Sequence, residues 1–511
     1  MENKNTDIYY KDCNGNEIFP ILAPQSIYAG YNIADKNNMS LSSCLRIKGN
    51  LDLKILEKAI QNLYNSYDAL RIRIFKDENK YIQKVLSSYE FKLEVISTVG
   101  DTNEDRFKFA EKDAIQHIVS YVDALNNLLF YCYLYKIDEN DYFLTFVTDH
   151  SVFDGASMVV LLNRLFYYYE NPDSFELQPS FVEYSKNLSE NLKTPKGLKK
   201  IEYWKEYLKD FEFLEFPTPN GSQFDNSNNG EVSFEVSNNL LEEFAKQHKT
   251  SKATVIMLAL NIGIAKQFKI ETPYFSTVYA SRVTPEQLKM VGPLAKLLLS
   301  RFEIKKDETF SDALKRCMKV SSMNIRNAEG CSTVSNIYVT FHNFDMTIKG
   351  VETLNIQPVM PKYSHGYNFL VINYWENSDN IRVIGEFNPK IISATAMQNI
   401  LNYARQSIDV MMNDISSNVY DFVFLENQVT TKSIDDYLEI VKKLFEKILD
   451  TEQVQNDSSF FELGGNSLKA SYLVTELLDK YNIELLISDI YENETVQEIA
   501  EFIEKNENII S

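Results

Sequence analysis

Residues 149–157, DHSVFDGAS, separate two strongly patterned segments of the chain. The preceding segment, residues 142–148 (YFLTFVT), is aromatic and β-branched, which predicts a strand. The following segment, residues 158–169, predicts a buried helix. A turn from a strand into a helix projects side chains at the edge of a sheet, where His150 can reach a substrate and Asp154 can be held by a buried cation. The turn is therefore a candidate active site, although the pattern alone is also typical of an ordinary histidine.

The surrounding sequence, through residue 425, alternates helical and strand-like segments. Apolar residues at spacings of three and four predict a helix at residues 53–67, and aromatic and β-branched residues predict a strand at residues 128–136. A second set follows, with helices predicted at 254–268 and 394–412 and strands at 274–280, 335–341 and 369–374. The predicted fold class is α/β, in two lobes joined near residues 180–215.

Length and composition limit the number of domains and the kinds of protein that this chain can be. With 511 residues, 44% of them apolar, the chain is long enough for two or three globular domains. Residues 1–10 contain no apolar run, and no later stretch approaches the roughly 18 apolar residues that a membrane span needs, so we expect a cytoplasmic protein. The five cysteines, Cys13, Cys44, Cys132, Cys317 and Cys331, form no CxxC pair, which favours a reducing compartment and makes structural zinc or another metal site unexpected.

The net charge of −20 argues against nucleic acid as a partner, because no basic stripe opposes that field. The excess is concentrated in residues 430–511, which hold seven lysines against 18 Asp plus Glu and carry a net charge of −11. An acidic module of this kind is suited to docking on basic patches of several enzymes, although an acidic surface also serves solubility.

Polar connections divide the chain further. Turn-forming residues at 217–230 (PTPNGSQFDNSNNG) predict a long loop, and residues 427–432 form a short polar linker. A capping serine at Ser433 and early acids then begin an amphipathic helix, which opens a last domain with further helices at 468–481 and 496–504 and a short turn near Ile490. Within it, Gly464 and Gly465 free the backbone to turn, so Ser467 is expected to cap the next helix with its hydroxyl facing solvent.

The turn at 149–157 resembles the HHxxxDG motif of nonribosomal peptide synthetase condensation domains, relatives of chloramphenicol acetyltransferase. Other segments match further motifs of the family in the same order. Leu22-Ala23-Pro24-Gln25 matches the N-terminal motif, Asp68-Ala69-Leu70-Arg71 matches the segment that usually reads HExLR, and Tyr184 and Trp204 match the bridging region. Farther on, Ser281-Arg282 matches GR, Met290-Val291-Gly292-Pro293-Leu294 matches VGxFVNT, and Ser300-Arg301 matches the final R. The resemblance covers residues 15–425. It implies two chloramphenicol-acetyltransferase-like lobes that form a V around a central tunnel.

The resemblance also implies roles for the residues of the turn. His150 lies beside an acceptor amine and orients or deprotonates it as it attacks a donor thioester. Asp154 is structural and pairs with Arg282, with Arg71 as the second choice of partner. Gly155 allows close approach of the backbone and offers an N–H group to the developing oxyanion.

Asp149 departs from the family, because it stands where the first histidine of HHxxxDG is usual. A carboxylate beside His150 is expected to favour the imidazolium form. Asp149, Asp154 and Ser157 also satisfy the DxxxxDxxS spacing of heterocyclization domains, although His150 belongs to the condensation type. The remaining interpretation is that Asp149 only caps the loop.

Residues 460–468 (FFELGGNSL) resemble the carrier-protein signature in which the serine, here Ser467, receives 4′-phosphopantetheine. The family then implies a condensation N-lobe at 1–180, a C-lobe at 181–426, a linker at 427–432 and a peptidyl carrier domain at 433–511. The expected partners are an upstream donor carrier protein, a phosphopantetheinyl transferase and, as an optional further partner, a downstream synthetase module. Because no adenylation domain separates the two parts, a separate adenylating enzyme is expected to load the carrier in trans.

The leading hypothesis is therefore an amide-forming condensation–carrier didomain of secondary metabolite biosynthesis. Three alternatives stay open at this point. One is heterocyclization to a thiazoline or oxazoline. The second is acyl transfer to a free amine or alcohol, with Ser467 as the donor site, and the third is a scaffold that binds carriers without catalysis.

Overall fold

The structure is a computed structural model that describes residues 18–35, 39–77, 80–214, 216, 230–333, 335–342, 351–361, 370–425, 434–452, 454–481, 483 and 485–510. It divides into two compact units, Met1–Tyr420 and Asp421–Ser511. The predicted boundaries near residues 180, 426 and 433 are finer than this division and stay predictions. The linker predicted at 427–432, Ser433, Cys13 and all of the loop predicted at 217–230 except Gly230 lie outside the described residues.

The first half of the larger unit combines seven strands with four helices among the described residues. The strands are β1 (Phe19–Pro20), β2 (Ser40–Lys48), β3 (Ile72–Asp77), β4 (Lys80–Val85), β5 (Val95–Ser97), β6 (Phe130–Asp138) and β7 (Asp141–Asp149), and the helices are α1 (Ala23–Asp35), α2 (Leu53–Ser66), α3 (Asn103–Val119) and α4 (Gly155–Glu170). Helices α5 (Phe181–Lys193) and α6 (Pro195–Tyr207) connect this half to the second.

The second half has the same mixed composition. Its strands are β8 (Gly230–Ser237), β9 (Tyr274–Tyr279), β10 (Lys296–Arg301), β11 (Ile337–His342), β12 (Asn355–Val359), β13 (Leu370–Glu376) and β14 (Asn380–Phe387), and its helices are α7 (Asn238–Gln247), α8 (Lys252–Phe268), α9 (Pro285–Lys289), α10 (Phe310–Arg326) and α11 (Ala394–Asn413). Helix α12 (Val419–Phe424) crosses the boundary between the two units.

Each half contains one large sheet, the first half also contains a small sheet with the order β1-β4-β3, and one strand of the second half joins the large sheet of the first. The first sheet has the order β12-β2-β7-β6-β5, and the second has the order β10-β9-β11-β13-β14-β8. Strand β12 belongs to the second half of the sequence but pairs antiparallel with β2, from Asn355 opposite Lys48 to Val359 opposite Cys44. This pairing ties the second half of the chain to the first sheet.

The core follows from the sequence pattern. All nine residues of β7 are buried, as expected for a strand inside a sheet that is covered on both faces. Helix α8 buries nearly its whole length and packs against α11. The helices predicted at 53–67, 254–268 and 394–412 are α2, α8 and α11, and the strands predicted at 128–136 and 142–148 are β6 and β7, so the predicted α/β class is confirmed.

The smaller unit is helical. Among its described residues, the four main helices are α13 (Ile434–Leu449), α14 (Ser467–Tyr481), α15 (Ile487–Glu492) and α16 (Val496–Ile510). Apolar residues spaced three or four apart on these helices form one core, which includes Tyr437, Val441, Phe445, Leu473, Leu477, Val496, Ile499 and Ile503. The predicted four-helix domain is therefore confirmed.

Candidate active site and carrier serine

The turn between β7 and α4 is held by the residue that begins the helix. Asp154 is the N-cap of α4, and its Oδ1 accepts hydrogen bonds from the backbone N and the Oγ of Ser157, at 2.8 and 2.7 Å. This capping satisfies one of the donors that a helix leaves unpaired at its start. His150 therefore lies in a turn whose ends are set by strand β7 on one side and by the capped helix α4 on the other.

The imidazole of His150 has a defined tautomer and orientation. Its Nδ1 lies 3.2 Å from the carbonyl oxygen of Phe153, which can only accept, so Nδ1 carries the proton and Nε2 is the basic nitrogen. The ring of Tyr28 stacks on the imidazole with centroids 4.5 Å apart. Burial lowers the pKa of His150 to about 4, and the charge of Asp154 opposes this shift only in part. The imidazole is therefore neutral near pH 7.

The carboxylate of Asp154 is saturated by five donors. Besides the two groups of Ser157, its Oδ1 accepts from Nη2 of Arg282 at 2.8 Å, and its Oδ2 accepts from the backbone N of Leu294 and Ala295 at 2.9 and 3.0 Å. The side chains of this ion pair are 4% and 5% exposed. Asp154 therefore joins the first half of the unit to the second. Arg71 is engaged elsewhere and donates to the carbonyl oxygens of Leu86 and Ser87.

Ser157 and Gly292 complete this junction. The single proton of Ser157 Oγ is shared between Asp154 Oδ1 and the Gly292 carbonyl oxygen, which lies 2.8 Å away, and Oγ accepts from the Gly292 N–H at 3.0 Å. Gly292 has a φ of +149°, and a Cβ there would lie 2.4 Å from Cδ2 of Phe181. Only glycine fits this position. In the sequence, Gly292 is part of the segment Met290-Val291-Gly292-Pro293-Leu294, and its role became visible only in the structure.

Asp149 does not share the surroundings of His150. Its Oδ1 accepts from the backbone N and the Oγ of Ser151, at 2.8 and 2.5 Å, and its Oδ2 accepts from Asn32 at 3.0 Å. Burial raises the pKa of Asp149 to about 6, while these hydrogen bonds act in the opposite direction. The expectation that Asp149 favours an imidazolium at His150 is wrong, because desolvation of His150 dominates and the opposing carboxylate is Asp154.

His150, Asp154 and Gly155 border a cavity of about 480 Å³ between the two halves, and Asp149 is not in its lining. The opposite wall is the second sheet, whose strands β11 and β13 contribute alternate residues. The lining also contains polar or aromatic residues that the sequence pattern did not predict, which are Tyr28, Tyr338, Thr340, His342, Asn373 and Trp375. Alternation along the strands identifies residues that share a face, but it does not show which face borders a cavity.

A second cavity, of about 420 Å³, adjoins the first and shares Val278, Ala280 and Thr340 with it. Hydroxyl groups are frequent in its lining, which includes Ser251, Thr254, Thr277, Tyr279, Ser281, Ser300 and Ser321. A lining of this kind can offer hydrogen bonds to an extended chain that contains amides.

In the smaller unit, Ser467 is an exposed residue at the start of α14. The expectation that Ser467 caps this helix is wrong, because the cap is Asn466, whose Oδ1 accepts from the backbone N of Lys469 at 3.0 Å. Ser467 is the first helical residue, and its Oγ lies 2.7 Å from the hydroxyl of Tyr491. The turn before it contains Gly464 with a φ of +88°.

This position suits a phosphate ester. Phosphate on the Ser467 hydroxyl would lie at the N-terminal end of a helix of 15 residues, where the helix dipole and unpaired N–H groups favour an anion. The ammonium of Lys469 lies 3.2 Å from the carbonyl oxygen of Gly464 in the same turn. Large apolar side chains are exposed in this unit at Leu468, Tyr472, Leu486, Ile487 and Tyr491.

Comparison with known proteins gives a matching family for the larger unit and another for the smaller, helical unit. A family model described as Condensation domain matches residues 18–331, and one described as Phosphopantetheine attachment site matches residues 439–503. The chain therefore belongs to the condensation-domain family and carries a phosphopantetheine-binding carrier domain. Its architecture is that of a nonribosomal peptide synthetase condensation domain followed by a carrier domain.

The similar curated proteins are much longer than this chain. Surfactin synthase subunit 1 of Bacillus subtilis (strain 168) is 20% identical over 448 residues, which cover 82% of this chain and 12% of that protein. Surfactin synthase subunit 3 of the same organism is 23% identical over 291 residues, which cover 54% of this chain and 22% of that protein.

Solved structures share the fold of the larger unit. The X-domain from teicoplanin biosynthesis has a TM-score of 0.69 at 15% identity and covers 81% of this chain and 99% of that one. The first condensation domain of the calcium-dependent antibiotic synthetase, in complex with a substrate analogue, has a TM-score of 0.58 at 15% identity and covers 79% and 98%. Within the described part of the chain, no helix is both long and apolar enough to span a bilayer.

We expect Asp154→Ala to lower the free energy of unfolding of the larger unit by about 3–5 kcal/mol, because it leaves the Arg282 guanidinium buried without its counter-charge. Urea unfolding followed by tryptophan fluorescence measures this, since Trp204 and Trp375, the chain's two tryptophans, both lie in that unit. The matched control is Asp173→Ala, which removes an exposed ion pair with Lys58 and should change little. Equal stability of the two variants would contradict the role given to Asp154.

Asp149 should make stability depend on pH. Because its pKa is raised from 3.8 to about 6 in the folded state, folding is favoured by its protonated form, and this contribution is lost as the pH rises through about 6. Asp149→Asn cannot titrate. We therefore expect the stability of the native chain, relative to this variant, to fall between about pH 4 and 7 in urea unfolding at several pH values. Parallel stability curves for the two proteins would refute the assignment.

Proposed function

We propose that this chain forms amide bonds, by attack of a carrier-tethered or free amine on a carrier-bound acyl or aminoacyl thioester. The observation that supports this most is the neutral His150 imidazole, whose Nδ1 is anchored on Phe153 O while the ring borders the cavity between the two halves. When bound to Ser467, phosphopantetheine supplies a thiol that holds an acyl group as a thioester.

The residues of the cavity then have separate tasks. His150 Nε2 accepts a hydrogen bond from the attacking amine and holds its lone pair toward the carbonyl carbon, which is a positioning effect. The C–N bond forms, the C–S bond breaks, and the amine proton passes to the leaving thiolate. Gly155 begins α4, where the first N–H groups have no partner within the helix, so its N–H suits the negative charge on the carbonyl oxygen.

Asp154 and Arg282 act as positioning residues, since they fix the turn that carries His150. Asp149 we assign to the shape of the same turn, because its hydrogen bonds go to Ser151 and Asn32. The Asp149 carboxylate is outside the lining of the cavity, and this favours amide formation over ring closure to a thiazoline or oxazoline.

We further propose that a separate adenylating enzyme loads the carrier in trans. The second half of the larger unit continues through α11, and the carrier-domain match begins at residue 439. The interval between them is far too short for an adenylation domain of several hundred residues. A phosphopantetheinyl transferase and an upstream donor carrier are the other partners that the proposal requires.

We expect His150→Ala to reduce turnover by on the order of 10²-fold or more, because the variant loses the acceptor that orients the amine. Product on the holo carrier can be followed by intact-protein mass spectrometry with an acylated donor carrier. His117→Ala is the matched control, because His117 lies on α3 and stacks on Tyr133, outside the described cavity lining. Unchanged turnover in His150→Ala would remove the catalytic assignment and leave a carrier-binding scaffold.

We expect Ser467 to accept the phosphopantetheine arm. Incubation of the apo chain with a phosphopantetheinyl transferase and coenzyme A should give one mass increment, which Ser467→Ala abolishes. Ser471→Ala, one turn further along α14, is the matched control and should be modified normally. The assignment of Ser467 is wrong if the native chain gains no mass, or if Ser467→Ala still does.

A further inference from the structure

The wall that the second sheet contributes to the large cavity is divided by polarity. Among the described lining residues, its hydrogen-bonding side chains lie on β11 and β13. The lining side chains on or next to the neighbouring strands β9 and β10 are all apolar, and they are Val278, Ala280, Pro293, Ala295 and Leu297. This half of the wall therefore offers contacts to a hydrocarbon group and no side-chain hydrogen bond.

The apolar half of the wall contains a recess. Leu297 on β10 lies directly opposite Val278 on β9 in the antiparallel register. Alternate residues of a strand share a face, so the next residues on the cavity side are Ala295 and Ala280. Ala280 is exposed and Ala295 is half-buried, so the space beside these two methyl groups is open. We call the four residues Val278, Ala280, Ala295 and Leu297 the alanine slot.

The alanine slot is tied to the turn that carries His150. The backbone N of Ala295 donates to Asp154 Oδ2 at 3.0 Å, and Asp154 caps the helix that follows the turn. His150 and all four residues of the slot line the same cavity. The slot is thus fixed relative to His150, which a site that selects a substrate side chain beside the reacting group requires.

The rest of the lining limits the charge of a ligand in the slot. Across the cavity, the first half of the unit contributes the apolar side chains of Met39 and Leu41. Among the described lining residues the charged carboxylate is that of Asp154, which is already paired with Arg282. A charged ligand side chain would lose its hydration there without gaining a counter-charge, whereas each methylene that is buried adds to the affinity.

Building on the proposed function, we infer that the alanine slot binds the side chain of an aminoacyl substrate, and that this side chain is a branched or aromatic hydrocarbon. Val278 and Leu297 contact the side chain and exclude water from it. Ala280 and Ala295 set the size that is accepted, because a larger residue at either position would fill the same space. A polar side chain of similar shape loses its hydrogen bonds to water without gaining any from the slot.

The test measures binding with no bond formed. The probes are alanyl, leucyl, asparaginyl and lysyl pantetheine amides, in which nitrogen replaces the thioester sulfur. Dissociation constants are measured by calorimetry on the full apo chain. We expect the leucyl probe to bind about tenfold or more tightly than the alanyl probe, since each buried methylene corresponds to about fourfold in affinity. The asparaginyl probe, which is close to leucyl in shape, should bind about tenfold more weakly than the leucyl probe.

Ala280→Leu fills the alanine slot, so it should bring the affinities of the leucyl and alanyl probes to within about twofold of each other. Ala394→Leu is the matched control and should keep the native ratio, because Ala394 is exposed at the start of α11 and lies outside the described cavity lining. Val278→Thr adds a hydroxyl at nearly the same volume and should narrow the leucyl-to-asparaginyl ratio to about threefold or less. It is the second variant if Ala280→Leu does not fold.

The role of the alanine slot is overturned if no probe binds, if the leucyl probe binds no more tightly than the alanyl, asparaginyl or lysyl probe, or if both ratios survive in Ala280→Leu and Val278→Thr. These outcomes are distinct from failure of the proposed function. An intact side-chain preference in a chain that forms no product with an acylated donor carrier would refute amide formation alone. Normal product formation without a preference would refute the alanine slot alone.

Discussion

The buried ion pair between Asp154 and Arg282 is the interaction on which the rest of the candidate site's geometry depends. One carboxylate caps α4, binds the guanidinium, and accepts from two backbone amides of the segment that precedes β10. Removing two charges from water costs several kcal/mol, and the five donors offset this cost because each lone pair is used. The carboxylate thereby fixes the turn that carries His150. The same contact also holds the first half of the larger unit against the second.

Much of the fold was predictable, because periodicity is strong where an element is buried on one side or throughout. Helix α2 and strand β7 lie close to their predicted positions for this reason. Strand β12 was not predicted. Its five residues, NIQPV, contain a proline and are mostly exposed or half-buried, which is typical of an edge strand that its partner stabilises more than its own sequence does. The partner, β2, lies some 300 residues earlier in the chain, and sequence pattern does not reveal such pairing.

The residues of the candidate site were likewise predictable from the sequence only in part. His150, Asp154 and Gly155 are adjacent in sequence and could be found from a motif, and the pairing of Asp154 with Arg282 followed from the family resemblance. Tyr28, His342 and Asn373 belong to three elements that are far apart in the sequence, α1, β11 and β13, and the fold brings them to the same cavity. The charge state of His150 also required the structure, because the sequence shows the neighbouring Asp149 but does not show that burial outweighs it. At the carrier serine, the sequence predicted that Ser467 caps α14, but the cap is the preceding residue, Asn466. The Ser467 hydroxyl therefore takes no part in the capping hydrogen bond.

In the amide formation proposed above, the low basicity of His150 constrains how it can assist the reaction. An imidazole whose pKa is lowered to about 4 cannot hold a proton taken from an ammonium, whose ordinary pKa is several units higher. The amine must therefore reach Nε2 already uncharged, and the apolar lining favours this form because an ammonium would lose its hydration on entry. What remains for His150 is to accept one N–H and fix the direction of attack, and a neutral ring held by Phe153 and Tyr28 is suited to that task. The same burial that weakens the base thus favours the uncharged nucleophile on which the proposed reaction depends.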